Sequence, residues 1–514
     1  MQLLDLELFF NPLRIIFLIF WFYLCMYLVQ RFESSPIIPQ KLKAGMNVLM
    51  LIFGPFVLFV FIIAEASKKA QRYGMPFIEA VKRAIGRATE VVDFGHLADT
   101  RDNPPIILLD ALGRNLLEVC SSDKDNKHDF QHILKHTQDI IATAIEQLAS
   151  NILIDPVSSD NYVVQYKIDG ILRTVEEIDF KRCIAIVNSI KAISGMDITE
   201  HYPQKGAFIA KTAEGNISLR VASIDVLNGE KLSIRIINRA AAQLTLAGIG
   251  MDEKYQRLVR ETITRKSGMI LICGPTDSGK STTIQTMLRG LDFSTRNVVT
   301  IEDPIEYVLP KASQIEVDTK AGMTVAKTLR SVLEQNPDVI FVGEIRDEET
   351  ASIALGASQA GHLVFATLHS SSNAAAIIHL INFGIKPILI SSAIDMIISQ
   401  KLVRKLCPQC KVAANIDETQ LEKLKGVDVD KVMQPIGCAY CGDTGYKGRT
   451  AIFDIMVLDD DDKAKILSSD FSVSKFKNIG DEQYKMSLKK QAMKLALAGI
   501  TSLEEVKRVT SNLG

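Results

Sequence analysis

The sequence predicts an α/β protein with three parts: an N-terminal transmembrane helical hairpin, an α+β domain, and a larger domain on a mainly parallel sheet. Three observations predict it. Two uncharged apolar runs stand near the start, strand-like alternation surrounds Asp169-Gly170, and from about Leu246 short apolar strands alternate with helical stretches. A chain of 514 residues is long enough for about three such domains. Its 59 Lys and Arg balance 60 Asp and Glu, mixed throughout, so no basic face marks nucleic acid as a partner. Protein and membrane lipid are the expected partners.

Residues 1–70 form the expected hairpin, with spans at about 13–30 and 44–64. Ile15 to Val29 carry no charge, and Trp21, Tyr23 and Tyr27 in that run are tolerated in membranes. Ala44 to Ala64 are also uncharged and long enough to span a bilayer. A signal peptide would be followed by a small-residue cleavage site, but Gln30, Arg31, Phe32 and Glu33 follow here. Arg14 before the spans and Lys68, Lys69, Arg72, Lys82, Arg83 and Arg87 after them outweigh Arg31, Lys41 and Lys43 between them. That balance puts both ends in the cytoplasm. Residues 71–104 are a linker, which Asp102-Asn103-Pro104-Pro105 closes.

Residues 105–240 read as the α+β domain. Tyr162 to Ile168 and Ile171 to Val175 flank Asp169-Gly170, a hairpin signal, and Ile217 to Ser223 and Lys231 to Ile237 are further strands. Residues 246–514 form the larger domain, with strands at Met269–Cys273, Val298–Ile301, Val339–Val342 and Leu363–Ala366 and a helical C-terminal part.

The first of those strands runs into Gly274, Pro275, Thr276, Asp277, Ser278, Gly279, Lys280 and Ser281, a complete GxxxxGK[ST] loop before a helix. Backbone amides and a helix N-terminus then face one anion, so the chain binds a nucleoside triphosphate. Lys280 reaches the β- and γ-phosphates, Thr282 continues the loop, and Ser281 serves Mg²⁺. The later strands end in Glu302-Asp303-Pro304-Ile305-Glu306, in Gly343-Glu344-Ile345-Arg346-Asp347 and in Thr367-Leu368-His369, with His362 just ahead of the last. Each acid alone could be a helix N-terminal charge. Three strands delivering acids or His together point to phosphoryl chemistry, with Glu344 suited to hold Mg²⁺ through water or to orient the attacking water.

In their order these segments resemble the type II and type IV secretion and pilus-assembly ATPases. Residues 274–282, 300–307, 336–351 and 361–369 match that family's Walker A, Asp box, Walker B and His box, and the likeness extends from about residue 135 to the end. The resemblance implies a RecA-like motor domain under an N-terminal domain, a homo-hexamer, ATP hydrolysis, and work on an inner-membrane platform protein. It also implies that Arg220 and Arg235 contribute positive charge at the phosphates. Glu302, Glu344, His362 and His369 are its other catalytic candidates.

Cys407-Pro408-Gln409-Cys410 and Cys438-Ala439-Tyr440-Cys441 are two CxxC pairs around a charged, helical insertion, a spacing that suits a closed Zn²⁺ site. This segment resembles the tetracysteine element of assembly members, which favours assembly over retraction. Three departures stand out. Asp277 replaces the family's Gly, and its carboxylate either repels the phosphates or caps the following helix. Glu334 and Asn336 stand where Arg and Asp are usual, and the linker leaves no room for a docking domain. A membrane-anchored DNA translocase and a non-hydrolysing nucleotide-binding scaffold are the competing functions.

Overall fold

The computed structural model describes residues 106–115, 118, 127–200, 202–213, 215–237, 244–318, 321–414, 431–467 and 487–511. The membrane hairpin of residues 1–70 and the linker of residues 71–104 lie outside these. Among the described residues no helix is long and apolar enough to cross a membrane. The chain divides into two compact units. One comprises Pro104–Leu406, Val427–Met433 and Lys447–Gly514 and carries two seven-stranded sheets, and the other includes Cys407–Gly426 and Gln434–Tyr446.

The first sheet contains β1 (Ile107–Leu109), β2 (Ala149–Pro156), β3 (Asn161–Ile168), β4 (Ile171–Asp179), β5 (Gln204–Thr212), β6 (Gly215–Val226) and β7 (Gly229–Ile237). Its order is β1-β5-β6-β7-β2-β3-β4, with antiparallel pairing throughout. Alternation in the sequence becomes burial on one face. Tyr162, Val164 and Tyr166 of β3 are buried with Ile152 and Ile154 of β2 under the helices Lys127–Glu146 and Phe180–Ile193, whereas Val163, Gln165 and Lys167 face the open side. The Tyr166 hydroxyl, buried in this core, donates to Ile140 O at 2.6 Å. Lys191, fully buried, pairs with Glu230 at 2.9 Å, and the Glu230 amide donates to the Tyr162 hydroxyl. Asp169 and Gly170, at φ 50° and 83°, form a two-residue turn, the geometry that a hairpin's right-handed twist requires.

The second sheet contains β8 (Gly268–Cys273), β9 (Val298–Glu302), β10 (Ser313–Glu316), β11 (Val339–Val342), β12 (Leu363–Leu368) and β13 (Ile394–Leu406). Two-residue strands β14 (Val412–Ala413) and β15 (Met433–Gln434) precede β16 (Tyr446–Val457), which completes the order β10-β9-β11-β12-β8-β13-β16. The neighbours from β10 to β13 pair in parallel. Both faces are covered. Met269, Leu271 and Cys273 of β8 enter one apolar cluster and Ile270 and Ile272 the other, which is why these strands read as continuous apolar runs. Beyond β13, the helices Leu488–Leu497 and Leu503–Thr510 bury Leu488, Ala492 and Val506 against Val403 and Ile452. Glu505, fully buried, accepts from Arg404 and Arg508 and ties the last helix to β13.

Candidate active site

β8 lies inside the sheet between β12 and β13 and delivers the phosphate loop from its carboxyl end. Two glycines shape that loop. Gly279 has φ 87°, and a Cβ on Gly274 would sit 2.5 Å from Ser278 Oγ and from Gln400 O. Any larger residue at Gly274 would fill the cradle. The helix Lys280–Leu288 begins directly after Gly279. Lys280 Nζ donates to Gly274 O at 2.9 Å and Pro275 O at 3.0 Å, and its partial burial lowers the ammonium's pKa. Ser278 is buried, and among the described residues its Oγ has no hydrogen-bond partner. The tight cradle, the ammonium on loop carbonyls and the unpartnered hydroxyl together fit a chain of phosphates. Ser281 lies half-buried in the first helical turn. Thr282 pairs with the side chain of Tyr307, which carries it beside the loop after β9.

The neighbouring strands bring their acids to the same end. Glu302 closes β9, is 5% exposed, and accepts from Thr300 Oγ1 at 2.8 Å and Gln314 Nε2 at 3.0 Å. Burial raises its pKa in spite of those bonds. Glu344 follows β11, with Oε1 at 2.5 Å from His369 Nε2 and Oε2 at 2.7 Å from Arg346 Nε. Arg346 also reaches Asp303 at 3.5 Å. A donation from Ile345 N to Thr367 O at 2.9 Å fastens the end of β11 to β12 and so aligns Glu344 with His369.

His362 is different. It precedes β12 at the amino end of the sheet, where its Nδ1 meets Pro337 O at 2.7 Å and its carbonyl accepts from Gly268 N. Gly268 and Cys273 are the two ends of β8, and six residues of strand span roughly 20 Å. Within one chain His362 is therefore not brought to the phosphate loop with His369, because reading it as part of one box ignored the length of the strand between them.

Arg220 and Arg235 are cross-strand partners on the open face of the first sheet. Arg235 Nη2 meets Glu306 Oε1 at 2.5 Å, and Arg220 Nη2 donates to Ile305 O at 3.0 Å and approaches Glu316 at 3.3 Å. Both thus grip the segment after β9. Asp277 departs from the capping expected of it. It sits at φ 62°, no side chain caps the following helix, and its carboxylate meets Lys167 Nζ of β3 at 2.5 Å. Burial raises its pKa, but the Lys167 bond and charge, with Arg235 and Arg449, outweigh that and hold the group below its ordinary range. The capping alternative fails because the helix's N-cap is Gly279, with no side-chain cap hydrogen bond, and the Asp277 carboxylate is engaged by Lys167 instead.

Residues 126–508 match the family described as Type II/IV secretion system protein. The chain belongs to this family. Over 398 residues it is 37% identical to type II secretion system protein E of Pseudomonas aeruginosa, covering 76% of this chain and 78% of that one. Over 395 residues it is 35% identical to the type IV pilus assembly ATPase PilB of Acinetobacter baylyi, covering 75% and 68%. The fold is similar to the crystal structure of the Legionella pneumophila ATPase DotB, with a TM-score of 0.55, 20% identity, and coverage of 73% and 95%. The protein is an ATPase of the secretion family.

In the second unit of this secretion ATPase, Cys407, Cys410, Cys438 and Cys441 place their sulfurs within 4.8 Å of one another. Three of the separations, Cys407–Cys438, Cys410–Cys441 and Cys438–Cys441, are 3.8 Å. None of the four is in a disulfide. Zn–S bonds of about 2.3 Å in a tetrahedron give sulfur–sulfur edges of about 3.8 Å, so the donor set fits a four-coordinate metal. Amides of Cys438 and Gly445 donate to Cys441 Sγ at 3.3 and 3.2 Å and orient it. The helical insertion expected between the pairs falls largely on residues 415–430, outside the described residues.

Sequence reading missed Gln400, Arg346 and Lys167. Gln400 Nε2 donates to Ser278 O at 2.9 Å from beneath the loop, and its only signal was its place seven residues before Cys407. Arg346 and Lys167 each adjoin a recognised motif, but nothing in the motifs assigns them a partner.

Proposed function

We propose that this ATPase is a membrane-anchored homo-hexamer of the inner membrane that hydrolyses ATP to drive assembly of a type II secretion pseudopilus or a type IV pilus. The carrying observation is the convergence at one sheet end of the phosphate loop, Glu302, Glu344 and His369, faced by Arg220 and Arg235. Lys280 and the loop amides bind the β- and γ-phosphates. Glu344, held by His369 and Arg346, orients the attacking water, and Arg220 and Arg235 offset charge that develops on the transferred phosphoryl group. Mg²⁺, held through Ser281 and Glu344, would neutralise charge on the phosphates. Zn²⁺ on the four cysteines would hold its segment folded, with no open position for catalysis.

The uncharged runs Ile15–Val29 and Ala44–Ala64 support the anchor, with the ATPase body in the cytoplasm and a platform protein as membrane partner. The name of the pilus assembly relative and the tetracysteine cluster support assembly, and that of the other relative supports a secretion system.

Lys280→Ala should abolish ATP binding, whereas Glu344→Gln should keep ATP bound and lower kcat by about a hundredfold or more. Parental turnover in the purified Glu344→Gln oligomer would remove Glu344 from its role. ATP bound without turnover by the parental chain would leave the scaffold reading. Release of the full-length chain from membranes by alkaline carbonate would refute the anchor. Replacing Cys407 and Cys438 with Ser should eliminate one zinc per chain in elemental analysis.

A further inference from the structure

Four residues of the first sheet form one cross-strand row: Arg220 pairs with Arg235, Arg235 with Asn151, and Asn151 with Lys167. The row crosses β6, β7, β2 and β3 on the open face. Its three cations engage two loops at the carboxyl end of the second sheet. Arg220 and Arg235 hold the segment after β9, and Lys167 holds Asp277 inside the phosphate loop. The Asp169–Gly170 turn, two residues beyond Lys167, is itself fastened. Asp169 accepts from Gly448 N at 2.9 Å and lies 3.7 Å from Arg449. The lysine therefore reaches the loop from a strand anchored at its end, and Asp277, whose carboxylate it meets, occupies a left-handed backbone position.

We propose that Lys167 is a positioning residue of the ATP site: it pairs with the Asp277 carboxylate, offsets its charge, and keeps it from repelling the phosphates. The proposal rests on the reading that the phosphate loop binds ATP. It assigns a role to a residue outside the loop and explains how an acid is accommodated where a polyanion must sit. Lys167 and Asp277 then act as one unit. Losing the lysine alone is harmful because it leaves a bare carboxylate beside like charge, and losing the acid as well removes the harm.

The test is a double-mutant cycle on the full chain, with the dissociation constant of ATP measured for the parent, Lys167→Ala, Asp277→Gly and the double variant. Lys167→Ala should weaken ATP about three- to tenfold, as one solvent-screened charge does, raising KM more than it changes kcat. Asp277→Gly should restore affinity in the Lys167→Ala background, and Lys167→Arg should keep it. The penalty should shrink as salt rises from about 0.1 M toward 1 M, where the Debye length falls to about 3 Å. A purely structural role would give a lower melting temperature that neither salt nor Asp277→Gly corrects.

Unchanged affinity in Lys167→Ala, or failure of Asp277→Gly to restore it, overturns the proposal. Lys280→Ala separates the two levels. If the parent binds ATP and Lys280→Ala does not, an unchanged Lys167→Ala sinks only the pairing; if the parent binds no ATP, both readings fall.

Discussion

The first sheet leaves one face open and presents side chains in a row across its strands, whereas the second is covered on both faces and presents only its strand ends. On β3 the burial alternates from Asn161 to Ile168, while every residue of β9, β11 and β12 is buried. The difference follows from connectivity. Parallel strands need crossover helices, which cover both faces, so such a sheet can offer chemistry only where its strands stop. An antiparallel sheet joined by tight turns keeps a face free for Arg220, Arg235 and Lys167.

The contrast is broken most forcefully in the cores. Phe365, fully buried in β12, should cost about 3–5 kcal/mol as Phe365→Ala, while Gln165→Ala on the open face of β3 should stay within about 0.5 kcal/mol. Denaturant titration of both variants checks this; equal losses would mean that the open face is covered.

Next in size is the acid sensitivity of the second sheet's flank. Arg508 and Arg404 overcome the burial of Glu505 and hold its carboxyl at about 2, below the ordinary 4.5. A depressed carboxyl stabilises the fold above the ordinary value and loses that contribution as pH falls from about 4.5 toward 2, for a total on the order of 3 kcal/mol. The stability gap between the parent and Glu505→Gln should therefore be full at pH 6 and narrow below pH 4.5. A gap independent of pH over that window would contradict the ionised pair.

The smallest effect on folding should come from the row itself. Arg235→Ala, with its side chain half exposed, should leave melting almost unchanged yet lower kcat/KM about tenfold or more, if its cation offsets charge on the phosphates as proposed. A melting shift as large as that of Phe365→Ala would place Arg235 among structural residues.

Much of this division is legible in residues. Asp169-Gly170 announces its turn because a two-residue hairpin needs two left-handed positions, and the apolar runs ending in acids announce a parallel sheet with its site at the strand ends. β13 is not legible in the same way. Ile394–Leu406 mixes apolar, amide and basic residues without a clean period, since its outer part is held by Arg404 pairing with Glu505 and not by apolar contact alone. The site residues that hydrogen-bond across distant sequence, such as Gln400 to Ser278 and Lys167 to Asp277, leave no local pattern. His362 was misplaced for a related reason: proximity in sequence along a strand is separation in space.

The phosphate loop and Glu302 also differ in what secures them. The phosphate loop hangs from β8, hydrogen-bonded to a neighbour on each side, so exchange of its strand amides with solvent requires opening of the sheet itself. Glu302 leans on Gln314 of β10, which among the described residues has a neighbour on one side only. Fraying of that edge is a local event of low free energy, and it would take the Gln314 bond from the Glu302 carboxyl, leaving the one from Thr300, while the nucleotide cradle stays shut.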